Sequence, residues 1–274
     1  MTEVNTPTDS VHRAAAPNAA PQFVSAYQAR SLSPATQARF RNVHDKIIAL
    51  ARRHGRASAR FDVLDIGCGA GTQCRLWAMQ GHRVSGIDIS EPLVGVAVQR
   101  AAEAGLDIRF DVGSATRLPY ADATQDVCLL PQLLEHVPDW QTCLREAVRV
   151  LRSGGMLYLS TSNLLCPRQS EFNLPLYSWY PPFLKRRYER LAITTRPELA
   201  NHASFPAVHW FTYRRLAHFL SGLGMHCYDR FDVVDRAALR GWRRSAAGLL
   251  QSVPALRLPA QLFVGTSVVF AVKR

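Results

Sequence analysis

Two hydrophobic periods alternate along this chain. Phe61, Val63, Leu64 and Ile66 form a short apolar run that predicts a buried central strand, and Gly67, Gly69 and Gly71 follow before a helical pattern begins. The same unit recurs. Runs at residues 82–88, 107–112, 127–130 and 156–160 predict four more strands, separated by helical patterns at 73–80, from Ser90 onward with Pro92 in the first turn, and at 139–151. Upstream, Ser33-Pro34 opens a helix whose apolar positions Phe40, Val43, Ile47, Ile48 and Leu50 fall near helical spacing. Downstream, Thr212 caps a helix carrying Leu216, Phe219, Leu220 and Leu223, and strands follow at 226–233 and 263–272. Helix following strand with parallel connection, repeated through five strands, predicts an α/β fold with a doubly wound sheet.

Three stretches fall outside this rhythm. Residues 1–22 are rich in Ala, Pro, Thr and Asn and too poor in large apolar groups to offset the entropy of ordering, so they read as a disordered tail before a domain of residues 23–274. Residues 163–210 show neither period and are dense in Tyr, Trp, Pro and Lys-Arg; an insertion of that length after the fifth strand reads as a substrate lid. Within 235–259, Arg236, Arg240, Arg243 and Arg244 fall on one helical face, with Leu239, Trp242, Leu249 and Leu250 available for the other. Such a helix suits an anionic membrane surface; packing on the sheet edge is the competing reading.

Charge sharpens this division. The net charge of +12 is uneven: residues 1–162 carry 17 Lys and Arg against 15 Asp and Glu, and residues 163–274 carry 16 against 6. The C-terminal part therefore favours an anionic contact, although a solvated basic surface accounts for it equally well. No apolar run is long enough to span a bilayer and no export leader is apparent, so the expected location is cytoplasmic, with peripheral contact at the inner face of the membrane. The six cysteines are scattered without metal-site spacing and read as reduced thiols.

The chemistry concentrates at the first glycine turn. Bare backbone at Gly67, Gly69 and Gly71 lets a ligand approach closely, Asp65 puts a carboxylate beside it, and Asp88 ends the second strand where two ribose hydroxyls are usually met. Dinucleotide folds space the glycines as G-x-G-x-x-G to face a pyrophosphate, whereas this loop is G-x-G-x-G behind an acid. A cationic nucleoside fits it better.

VLDIGCGAGT followed by Asp88 resembles the cofactor motifs of the class I S-adenosylmethionine-dependent methyltransferases. LPYADATQDV is similar to that family's turn into strand four, and LEHVPD resembles the run found in its ubiquinone- and sugar-type O-methyltransferases. The resemblance implies a Rossmann-like seven-stranded sheet with an antiparallel last strand inserted between strands five and six. It implies S-adenosyl-L-methionine as the cofactor, held by Asp65, Gly67, Cys68, Gly69, Gly71, Asp88, Ile89, Ser114, Ala115 and Leu130. Ser114 stands where an acid is usual. Gln132 replaces a glutamate that helps hold a divalent ion in the ubiquinone-type enzymes, and a neutral amide is a poorer ligand, so no metal is expected.

Methyl transfer requires a base near the acceptor, and His136 and His209 are the candidates. For His136, closing the helix start with Glu135 is the rival role. Asn163 orients the acceptor or caps a strand; Tyr177 and Trp179 line an acceptor pocket or pack a core. The expected activity is methylation of an oxygen on a small or lipid-like acceptor, with a non-catalytic binding module or a nicotinamide-dependent oxidoreductase as alternatives. Nucleic acid is not expected, since strand four does not end in the Asn/Asp-Pro-Pro-aromatic type.

Overall fold

The computed structural model describes residues 21–56, 58, 60–201, 203, 206–237 and 239–274. Helices α1 (Pro21–Ser31) and α2 (Pro34–Arg53) precede the sheet. The Ser33 hydroxyl accepts from the Thr36 N–H and Pro34 sits in the first turn, so α2 starts where its cap dictates. Strand β1 (Asp62–Ile66), helix α3 (Thr72–Met79), β2 (Arg83–Asp88), α4 (Glu91–Glu103) and β3 (Ile108–Val112) make the first half. Strand β4 (Gln125–Pro131), α5 (Trp140–Val150), β5 (Leu151–Ser162), α6 (Pro182–Thr194), α7 (Tyr213–Gly222), β6 (Met225–Asp229), α8 (Trp242–Ser252), α9 (Arg257–Gln261) and β7 (Thr266–Lys273) complete it.

The seven strands order as β3-β2-β1-β4-β5-β7-β6. All pairs from β3 to β5 are parallel, and β7 runs antiparallel between β5 and β6, as the resemblance implied. The order reverses between β1 and β4, and ligands of such sheets lie beyond the C-terminal strand ends at that switch. Those ends carry the glycine loop, Asp88 and the Leu134–His136 turn.

Central strands are buried on both faces because helices cover both. Leu64, Ile66, Cys128, Leu130, Leu157 and Leu159 point to a layer with α5 and α7, while Val63, Val127, Leu129 and Met156 point to one with α2 and α3. Helix α5 shows why it forms: Asp139 accepts from the Thr142 N–H, and Trp140, Cys143, Leu144, Ala147 and Val148 fall on one buried stripe. Leu144→Ala would cost about 2–5 kcal/mol there. Asp126 accepts from the Asp62 N–H at 2.9 Å and pairs with Arg56 and Arg152, tying the starts of β1 and β4.

Several boundaries differ from expectation. Residues 1–20 of the expected tail lie outside the described residues, and helix begins at Pro21. Helix α5 stops at Val150, and β5 begins at once, bending through Gly154 at φ +72 instead of turning there. The lid, read as aperiodic, contains α6 and a small core of Phe172, Tyr177, Ala192 and Trp210. The four arginines of 235–259 do not share one helix: Gly241 takes φ +57 and ψ −147, a conformation closed to L side chains, and α8 starts only after it. Arg236 precedes the break and lies against Gly248. Arg257, unnoticed in the sequence, anchors the segment through Asp229 at 3.0 Å and Asp232 at 2.9 Å.

Candidate active site

The glycine loop is a pinned turn. Gly67 and Cys68 N–H groups both donate to the Ile87 carbonyl, at 2.8 and 3.1 Å, and the Gly69 N–H donates to Asp88 Oδ2 at 2.8 Å. Gly67, Gly69 and Gly71 all adopt positive φ, at 76°, 51° and 70°, where a side chain would be strained. The other Asp88 oxygen accepts from the Ser90 N–H at 2.8 Å. Burial raises the Asp88 carboxyl, and these backbone donors pull it back. A carboxylate has about four acceptor positions, so these backbone donors leave room for a ligand hydroxyl. Because three loop N–H groups are spent internally, the turn is not a pyrophosphate nest of the kind a nicotinamide dinucleotide needs.

Asp65 supplies the unmet demand. It is 1% exposed, its Oδ2 accepts from Cys74 Sγ at 3.3 Å, and its Oδ1 has no hydrogen-bond partner in the structure. Burial pushes its carboxyl up to about 7, against the Cys74 bond and helped by the Asp88 charge. An orphaned carboxylate oxygen beside a side-chain-free cradle is what a ligand carrying a cation would satisfy. S-adenosylmethionine, with its sulfonium, ammonium and ribose hydroxyls, fits Asp65 and Asp88 together.

Helix α1 covers this cradle. Its Tyr27 hydroxyl lies where a Cβ on Gly69 would stand, and burial together with Asp88 and Asp65 raises the phenol. Arg100 on α4 latches the helix by donating to Gln28 O at 3.3 Å and Ser31 Oγ at 3.1 Å while reaching Ala70 O at 3.4 Å. Sequence reading missed this latch, because nothing local marks a contact across some seventy residues.

Beyond β4, Gln132 takes φ +53 and its amide donates to Ser160 Oγ at 3.2 Å. That bend turns the Leu134–His136 segment back under the sheet ends. Glu135 is fully buried with neither carboxylate oxygen hydrogen-bonded, and burial pushes it up to about 7, with His136 opposing and Glu171 adding to the rise. His136 Nε2 lies 3.8 Å from Glu171 Oε2, and its buried Nδ1 has no hydrogen-bond partner in the structure. The imidazole therefore faces the lid through Glu171. Glu171, which Ser162 Oγ also contacts at 3.3 Å, gave no signal in the sequence, since it lies in the aperiodic insertion. Among the described residues no group of three His, Cys, Asp or Glu is arranged to hold a metal ion.

The other named residues divide. His209 lies near the same corner, its backbone N–H donating to Glu135 O at 3.2 Å, but its ring donates to Pro138 O at 3.0 Å, and burial lowers its basicity. Asn163 is 1% exposed and fully committed: its amide donates to Gln261 O and Val264 O, both at 2.8 Å, and its oxygen accepts from Leu165 N–H at 3.0 Å and Ser267 Oγ at 3.4 Å. With every donor and acceptor used, it is a clamp and not an acceptor ligand. Tyr177 is likewise packed in the lid core, stacked on Phe172 at 4.1 Å with its hydroxyl on Lys185 O. Trp179 is exposed, with its indole N–H on Leu164 O at 3.2 Å. Leu130 is completely buried in the sheet core and presents no side-chain surface to a ligand, whereas Ile89 is exposed just past Asp88. Ser114 and Ala115 are half-buried after β3, the Ser114 hydroxyl sharing a 2.8 Å bond with Thr116. Cys68 is buried, its thiol facing Gly69 O.

Comparison with known proteins agrees with this geometry. Residues 64–159 match the family described as a methyltransferase domain. A ubiquinone biosynthesis O-methyltransferase of Caulobacter vibrioides is 36% identical over 125 residues, 44% of this chain and 50% of that protein. One of the same description from Mesorhizobium japonicum is 34% identical over 137 residues, 49% of this chain and 55% of that protein. The chain spans about half the length of these curated relatives. A solved S-adenosylmethionine-dependent methyltransferase from Mesorhizobium loti superposes with a TM-score of 0.54 at 18% identity, covering 83% of this chain and 98% of that one. Residues 64–159 thus resemble a methyltransferase domain in sequence, and the structural likeness shows that the chain has the fold of S-adenosylmethionine-dependent methyltransferases.

Proposed function

We propose that this protein transfers the methyl group of S-adenosylmethionine to an oxygen of a small, lipid-like acceptor, with His136 as the base. The observation that supports the reading is the approach of His136 Nε2 to Glu171 of the lid at 3.8 Å, in the turn that follows β4 at the C-terminal strand ends, where Asp65 and Asp88 also lie. The bound cofactor supplies an electrophilic methyl group on a sulfonium. Asp65 and Asp88 hold its cationic and ribose portions, and the glycine loop fixes its depth. His136 accepts the acceptor's hydroxyl proton, and Glu171 stabilises the imidazolium that results. The buried Glu135 and the lid core keep water from the reacting atoms.

An oxygen acceptor is supported by the relatives described as ubiquinone biosynthesis O-methyltransferases. A labelled-methyl transfer screen against membrane extracts and polar metabolites tests the reading, with calorimetric binding of S-adenosylhomocysteine as the control. Transfer to a hydroxyl-bearing amphiphile is the expected result. Cofactor binding without turnover on any fraction would reduce the protein to a binding module, and the absence of binding by folded protein at millimolar cofactor would end the proposal.

A further inference from the structure

The β6–β7 insertion exposes apolar side chains that an ordinary surface would hide. Ten of the fifteen large hydrophobic residues exposed among the described residues lie in two segments, residues 242–263 and the lid. Trp242 is 76% and Phe263 87% exposed, with Leu249, Leu258 and Leu262 outward between them. On α8 the outward positions Trp242 and Leu249 are two helical turns apart, so large apolar groups face solvent while the small Gly248 faces the protein, and Val253 is exposed just past the helix end. Packing on the sheet edge would have placed these groups the other way.

Two hydrogen-bond sets join this segment to the lid. Asn163 grips Gln261 O and Val264 O, which flank Leu262 and Phe263, and its own N–H donates to Gly265 O. One residue on, Leu164 O accepts from the Trp179 indole. Phe263 and the exposed Trp179 therefore flank one corner at the C-terminal end of β5, on the rim that carries the cofactor loop. Phe183, 64% exposed, opens α6 nearby in the lid.

The exposed charge around this apolar rim is predominantly positive. No Asp or Glu occurs after Asp235, while Arg236, Arg240, Arg243 and Arg244 are exposed in the insertion and Arg186, Arg187 and Arg190 are exposed on α6, where Glu189 is partly buried. A second copy docked face to face would set like charges against each other. We propose that residues 242–263, together with Trp179 and Phe183, dock this domain on an anionic phospholipid surface, apolar side chains entering the headgroup boundary and arginines meeting phosphates. Apolar wedge and cationic collar are the two parts such binding needs. This deepens the reading of an amphiphilic acceptor, since it sets the cleft mouth at the lipid surface, but docking does not depend on methyl transfer.

Co-flotation of the full chain with vesicles of 30% phosphatidylglycerol in phosphatidylcholine at low salt tests it. Partition onto the anionic vesicles is expected, falling at least tenfold in Trp242→Ser/Phe263→Ser and in Arg243→Glu/Arg244→Glu, and falling with salt more for wild type than for the charge-reversed protein. S-adenosylhomocysteine affinity should stay unchanged in both variants, which shows that they fold and separates this result from the fate of the proposed activity. No partition of wild type at millimolar lipid would overturn the proposal. So would equal partition of all three proteins, a dimer abolished by the same substitutions without lipid binding, or variant-sensitive binding to a single-stranded RNA oligomer in place of vesicles.

Discussion

Replacing Asp65 by asparagine should stabilise the cofactor-free protein and weaken its grip on the cofactor. The carboxyl rises from 3.8 in the unfolded reference to about 7 in the fold. The native state then holds a proton that the unfolded chain has lost between those values, so this group's contribution to stability falls as pH rises through that window. Three pH units at 1.36 kcal/mol each set a ceiling of about 4 kcal/mol, and relaxation around the charge brings the expected cost to about 2–4 kcal/mol at pH 8. Asn keeps the shape, still accepts from Cys74, and carries no charge to desolvate. Urea denaturation of wild type and Asp65→Asn at pH 4, 6 and 8 should therefore give nearly equal stabilities at pH 4 and a gap of about 2–4 kcal/mol in the variant's favour at pH 8, with the slope unchanged. In the same variant, affinity for S-adenosylmethionine at pH 8 should fall by about 10- to 100-fold, because a charge-assisted contact is lost. A variant no more stable than wild type at pH 8, or a gap that does not widen with pH, would refute the claim that a buried, unmet carboxylate lies under the loop.

Other substitutions separate the remaining roles. Asp88→Ala should weaken cofactor binding by about 1–3 kcal/mol, and unchanged affinity by calorimetry would remove the ribose assignment. His136→Gln should lower kcat by at least about 100-fold while His209→Gln costs under about tenfold, as measured with the acceptor found by screening; the reverse order would make His209 the base. Asn163→Ala should destabilise the fold by about 2–4 kcal/mol in thermal melts, since four hydrogen bonds to the β7 approach and Leu165 go together, whereas a stable but inactive variant would restore its role toward the acceptor. Gly69→Ala places a methyl group against the Tyr27 ring at φ +51, so α1 should lift and trypsin should cut at Arg30 several-fold faster than in wild type.

The parallel half of the fold was legible because each of its units is local. An apolar strand, a glycine or cap signal and an amphipathic helix recur within some twenty to forty residues, and the loop acids Asp65 and Asp88 sit at fixed places in those units. Where partners lie far apart in sequence, the pattern is silent. Nothing around Asn163 announces that its amide will be consumed by carbonyls about a hundred residues later, and Glu171 becomes a neighbour of His136 only once the lid has folded over β5. Leu130 was assigned to the cofactor by its position at a strand end, yet the pleat turns its side chain into the core. The arginine face of 235–259 failed for a different reason: periodicity was counted through Gly241, whose backbone conformation interrupts the helix.

That interruption changes what the basic segment can do. An unbroken helix from 236 would present arginines on one side and apolar groups on the other, and either side could have turned to the protein. With Arg236 held back against Gly248 and Arg257 spent on Asp229 and Asp232, the anchoring is done by arginines. The large apolar side chains are then left outside. Meanwhile the buried acids Asp65 and Glu135, with Asp88 and Glu171, gather at the strand ends beneath the same rim. Buried acids thus collect at the strand ends around the glycine loop, while exposed arginines collect in the β6–β7 insertion. Asn163, bonded to Leu165 at the base of the lid and to Gln261 O and Val264 O before β7, ties the insertion to the lid.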